Sequence, residues 1–110
     1  MRRTQTLKAG VLGFALGFGG GAAAQDFTAG KVALEMEAGE QFSFVAGMIE
    51  GMAHARLRAD GNASDGMACI YAWFYEDESA YDNILAAFVR FEDRTPGAVL
   101  DALIQRRCGA

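Results

Sequence analysis

The sequence is poor in the residues that most chemistry needs. One histidine, His54, stands in 110 residues. Glu50 and Arg58 lie one helical turn either side of it, and this spacing reads as a solvated charged ladder. No second histidine or thiolate is near enough in sequence to share a metal ion, so neither a metal nor another cofactor is expected. No serine or cysteine is placed in sequence for His54 to activate, and the expectation is a protein that is not an enzyme. Only two cysteines occur, Cys69 and Cys108, with none of the C-x-x-C spacing of redox or zinc motifs. Repeats and long low-complexity tracts are absent, and the one proline is Pro96. The one charge-free apolar run, near the start, is too short and too glycine-rich to span a bilayer stably, which takes about 20 apolar residues.

The first residues make a separate unit. A basic start (Arg2, Arg3, Lys8) precedes a short apolar run, and Ala22, Ala23 and Ala24 follow. This is the plan of a secretory signal peptide, residues 1–24, with cleavage expected between Ala24 and Gln25. The mature chain, residues 25–110, is then one small domain in the periplasm or outside the cell. The leader removes three basic residues. Seven basic side chains then face fourteen acidic ones, a net charge of −7 against −4 for the whole chain. Such a balance disfavours nucleic acid, where cationic side chains must displace counterions. It suits a basic protein partner. In an oxidising compartment the two cysteines read as one disulfide, closing a loop worth about 4 kcal/mol in the chain-entropy picture.

Periodicity predicts an all-α bundle of about four helices, stapled by that disulfide. Residues 28–37 fit either a strand or a short helix, and the short helix is preferred. From 44 to 57, Phe44, Val45, Met48, Ile49 and Met52 fall on one arc. Gly47, Gly51 and Ala55 form a row along its flank. Glycine in a helix costs about 1 kcal/mol relative to alanine. Close packing of a second backbone on the row is therefore expected, inside the domain or else against a partner, including a second copy of the chain. The loop 59–66 places Asp60, Asn62 and Ser64 as a calcium loop would, but its closing glutamate is missing because Tyr71 stands there. Asn62-Ala63-Ser64 is also a glycosylation sequon.

In the next helix Asp65 is a candidate cap, and Cys69, Ile70, Trp73 and Phe74 share a face. Tyr71 and Tyr75 lie on another side, next to Glu76, Asp77 and Glu78. These five residues are the candidate partner-binding set, since tyrosines are enriched in interfaces. Ser79 with Asp82 three residues on makes a capping-box pattern, and Tyr81, Ile84, Leu85, Phe88 and Phe91 follow at helical spacing. Thr95, Pro96 and Gly109 bound the last helix. Its stripe is Val99, Leu100, Leu103 and Ile104, and Arg106 and Arg107 stand in the last turn, where they suit the helix dipole.

Three further features coincide: "TAGKVALEM" after the leader, "FVAGMIEGMAHA" in the first long helix, and Cys69 after a polar loop. With a helix ending shortly before Pro96 and a last helix ending at Cys108, they resemble a family of small exported bacterial helical proteins. Its best-known members are immunity proteins against type VI secretion amidase effectors. The likeness covers most of the mature chain, and Gly47 and Gly51 match the family's recurring "aromatic-aliphatic-x-G…G" element. It implies a binding or inhibitor protein that occludes a partner, such as a basic secreted effector or cell-wall hydrolase. Two alternatives stand beside it. One is an acid-stress chaperone similar in plan to the HdeA type, whose fourteen carboxylates would lose their charge at low pH. The other is an envelope protein that oligomerises through the glycine row.

Overall fold

A computed structural model of the chain describes residues 27–110. The expected leader, residues 1–24, and the Ala24–Gln25 cleavage point lie outside the described residues. Five helices follow in order: α1 Ala29–Glu35, α2 Ala38–Ala59, α3 Asp65–Glu76, α4 Ala80–Arg90 and α5 Pro96–Cys108. The described residues contain no strand, and no helix among them is long and apolar enough to cross a membrane. The fold is all-α as expected, with five helices where about four were anticipated. Cys69 and Cys108 form a disulfide, with their Cα atoms 5.8 Å apart.

The helices pack as two linked pairs. α2 lies along α3, α1 lies against α4, and α5 packs on both α3 and α4. Between them sit Val32 of α1, Val45, Ile49 and Ala53 of α2, Ile70, Trp73 and Phe74 of α3, Ile84 and Phe88 of α4, and Val99, Leu100 and Ile104 of α5, all buried. No polar or charged residue is buried among the described residues. The covalent and apolar links therefore hold the domain, and its polar groups are left to the surface.

α1 has seven residues, too few to be stable alone, since nucleation fixes several dihedrals for each early hydrogen bond. Its ends are held from outside. The Thr28 hydroxyl accepts from the Lys31 amide at 3.3 Å. The Ala29 and Gly30 amides donate to the carbonyls of Arg94 and Glu92 at 2.7 and 3.0 Å. At the other end the Gln41 amide group donates to the carbonyls of Val32 and Ala33, and its oxygen accepts from the Tyr81 hydroxyl at 2.9 Å. The orphan groups of a short helix thus find partners in α2 and in the α4–α5 turn.

Caps follow the sequence in α5 and depart from it in α3 and α4. Thr95 accepts from the Ala98 amide at 3.2 Å with Pro96 in the first helical position, and Gly109 ends the helix at φ 82°. Asp65 does not cap α3. It is the first helical residue, and the N-cap Ser64 makes no side-chain cap bond. Nor does Ser79 form a capping box with Asp82. Its hydroxyl and amide both donate to the Asp77 carboxylate, at 2.8 and 2.9 Å, so the turn between α3 and α4 is closed from the preceding side.

The glycine row needs the largest correction. The buried line of α2 is Val45, Ile49 and Ala53. At 100° per residue, this line lies opposite Gly47 and Gly51. Gly47, Gly51 and Ala55 are exposed, and a Cβ at either glycine would meet nothing within 4 Å. No backbone among the described residues packs on the row. The close approaches occur instead at Gly30, where a Cβ would lie 2.8 Å from the Cβ of Glu92, and at Gly66, where it would lie 2.5 Å from Nε of Arg56. Gly47→Ala and Gly51→Ala should each raise stability by about 0.5–1 kcal/mol in urea denaturation, through helix propensity alone. Gly30→Ala, which must push the α4–α5 turn away, should lower it by about 1–3 kcal/mol.

Candidate functional site

The corner where α2, α3 and α5 meet fixes the orientation of everything on the outer face of α3. The disulfide joins the first half of α3 to the end of α5. Arg56 of α2 reaches the same place. Its Nε pairs with Asp60 Oδ2 at 2.8 Å, and Nη1 and Nη2 donate to the carbonyls of Gly109 and Cys108 at 3.0 and 3.3 Å. A guanidinium there satisfies carbonyls left free at a helix C-terminus and complements its negative dipole end. Gly66 at the start of α3 is buried beneath this fork, because any side chain would collide with it.

With α3 held against α2, Tyr71 and Tyr75 converge on one carboxylate. The Tyr71 hydroxyl donates to Glu50 Oε1 at 2.9 Å, and that of Tyr75 to Oε2 at 3.3 Å. The hydrogen bond to Glu50 holds the Tyr71 phenol above its ordinary ionisation range, with partial desolvation and the nearby charge adding to it. For Tyr75, desolvation comes first, then the Glu50 charge and hydrogen bond. His54 stands edge-on to Tyr71, ring centroids 6.5 Å apart. Glu50 therefore serves a clamp between two helices, where sequence spacing offered only a ladder with His54 and Arg58.

From Tyr71 the rings continue along the surface. Tyr75 lies 6.1 Å from Tyr71 and 4.9 Å from Phe74. Phe74 stacks with Phe42 at 6.1 Å, and Phe42 meets Tyr81 edge-on at 5.2 Å. Phe42 and Tyr75 are 46% and 54% exposed, large for rings in a domain this size. Phe42 was not legible as part of this ridge, because it precedes the α2 periodicity that the sequence makes obvious. Glu76 and Glu78, which follow Tyr75 in sequence, are exposed, and Asp77 is half-buried in the turn. The Ser79 hydroxyl and amide, and then Arg107 3.8 Å away, hold the Asp77 carboxyl below its usual range. Of the five candidate residues, Tyr71 and Tyr75 thus share one acceptor, Glu76 and Glu78 are free to face solvent, and Asp77 is committed to closing a turn.

No group of three or more histidine, cysteine, aspartate or glutamate side chains that could hold a metal ion occurs among the described residues. The loop bearing Asp60, Asn62 and Ser64 is exposed, and Asp60 is already paired with Arg56. Asn62 of the sequon has φ 71°, in the left-handed region that asparagine tolerates.

Two titrations check these contacts. Because folding raises the Tyr71 and Tyr75 ionisation, their contribution to stability is present below the phenol value of about 10 and is lost as pH rises through the folded value. Near-UV absorbance titration should place them above that value, and Glu50→Ala should return Tyr71 most of the way to it. Asp77 has the opposite sign. Its contribution is present above about pH 3.9 and disappears as pH falls through the depressed folded value. Urea midpoints of the wild type and Asp77→Asn should therefore differ at pH 7 and converge near pH 2. No family model, curated protein or solved structure matches the chain.

Proposed function

We propose that the protein is a non-enzymatic, exported binding or inhibitor protein that acts by occluding a basic partner protein, in the manner of an immunity protein. The observation that carries this reading is the run of rings from Tyr71 to Phe42, in which Tyr75 and Phe42 are about half exposed on either side of the buried Phe74, with Glu50 beneath the two tyrosine hydroxyls. Rings with a polar tip and few rotatable bonds give contact area at low entropic cost, and they dominate interface energetics. The Glu50 carboxylate would steer a cationic surface toward the ridge. Gly47 and Gly51, with no packing role among the described residues, lie on the side of α2 turned away from its buried line.

The partner chemistry that fits is a secreted, positively charged effector or cell-wall hydrolase. The test is co-purification and co-expression with basic secreted cell-wall hydrolases, beginning with any that an adjacent gene encodes. The wild-type protein should bind one of them and block its activity. Tyr75→Ala and Glu50→Ala should each weaken binding by about 2 kcal/mol or more, as central anchors do, while Glu76→Gln with Glu78→Gln should slow association and reduce its salt dependence. Full inhibition by the Tyr71→Ala/Tyr75→Ala protein would overturn this reading.

A further inference from the structure

A second surface of different chemistry lies between α4 and α5. An open cavity of about 230 Å³ runs there, walled by Ala87 and Phe91 on one side and by Ala98, Ala102 and Leu103 on the other, with Arg94 and Arg106 at its rim. Seven basic residues follow the leader, and two of them line this groove, with no carboxylate among its lining residues. The two ion pairs found among the described residues involve Arg56 and Arg107, and neither Arg94 nor Arg106 takes part in them. Arg94 is held in place through its backbone, its amide donating to Phe91 and its carbonyl accepting from Ala29. Arg90 adds a third cation near the groove, 5.6 Å over the Phe91 ring, which is itself 47% exposed.

Size and charge together select the occupant. The cavity is smaller than the roughly 300–1,000 Å³ that hold drug-sized ligands, which favours one narrow chain over a ring system. A stable protein partner would need about 800 Å² of this face, far more than a slot between two helices offers. Three of the walls are alanines, which leave a smooth channel without polar groups that a ligand would have to satisfy. At the rim, a guanidinium fork matches the two oxygens of a carboxylate in one plane. We infer that the α4–α5 groove is a binding site for a single-chain carboxylate amphiphile, its alkyl chain lying along Ala98, Ala102 and Leu103 and its carboxylate held by Arg106 at one end, with Arg94 at the other. This site is independent of the aromatic ridge and would exist whether or not the ridge binds a protein.

The test uses the mature, oxidised protein and octanoate below its micellar range. Calorimetry should show one saturable site, and the methyl resonances of Ala98 and Ala102 should shift with the same midpoint. Octan-1-ol, with the same chain and no charge, should bind about tenfold more weakly or worse, as should octanoate to Arg94→Gln/Arg106→Gln. Both arginines are exposed, so this double variant should keep the wild-type circular dichroism. Ala102→Trp, which fills the channel, should abolish binding; the arginine variant and the alcohol control decide the matter if that protein fails to fold. Non-saturable uptake, shifts centred elsewhere, or equal affinity for octanoate with and without the two arginines would overturn the assignment.

Discussion

The Cys69–Cys108 bond is the constraint on which the arrangement of this domain depends. It joins the first half of α3 to the last residue of α5, and the Arg56 fork brings α2 to the same point through the Cys108 and Gly109 carbonyls. Three helices are thereby registered at one corner, one link covalent and one charge-assisted. With fewer than 90 residues after the expected leader, a core of this size supplies little surplus over conformational entropy, and closing a long loop supplies a comparable amount. Burial of Gly66 under Arg56 belongs to the same device, since the fork can close only where the facing helix has no side chain.

That corner sets the angle between α2 and α3, and from the angle comes the surface. Glu50 can accept both phenols only because α3 runs alongside α2 at the spacing the corner imposes. At the far end of α2, Gln41 ties the short α1 and Tyr81 into the same frame. The aromatic ridge is thus supported at both ends by polar contacts, and Phe42 and Tyr75 stay about half exposed although apolar surface of that size is costly to leave in water. Glu50 lies beneath the ridge, and Arg94 and Arg106 line the α4–α5 groove. The proposed binding activity and the proposed amphiphile site each rest on one of these two surfaces.

Much of the scaffold can be read from residues alone, and the reasons are local. α5 announces itself through Thr95, Pro96 and Gly109, whose backbone preferences act within one turn. The pairing of the cysteines follows from an expected oxidising compartment and from there being only two. Tyr71 and Tyr75 are brought together as their helical spacing implies. What resists sequence reading involves partners distant along the chain. Periodicity puts the glycine row on the flank of an apolar arc running from Phe44 to Met52, but Val45, Ile49 and Ala53 define the buried line, and the row faces away from it. Periodicity gives the relative angles of side chains and not the direction of the core. Gly30 and Gly66 look like ordinary loop and helix-start glycines, and only the proximity of Glu92 and Arg56 reveals their role. Gln41, Glu50 and Phe42 likewise acquire meaning from contacts that no local pattern encodes.

Hydrogen exchange of the native protein before and after reduction of its disulfide tests the central claim most directly. If the Cys69–Cys108 corner holds α3 in place, reduction should lower amide protection over residues 65–76 and 96–108 first, and the Tyr71–Glu50 clamp should loosen with it. Protection that stays unchanged in both segments once the bond is cut would contradict the account.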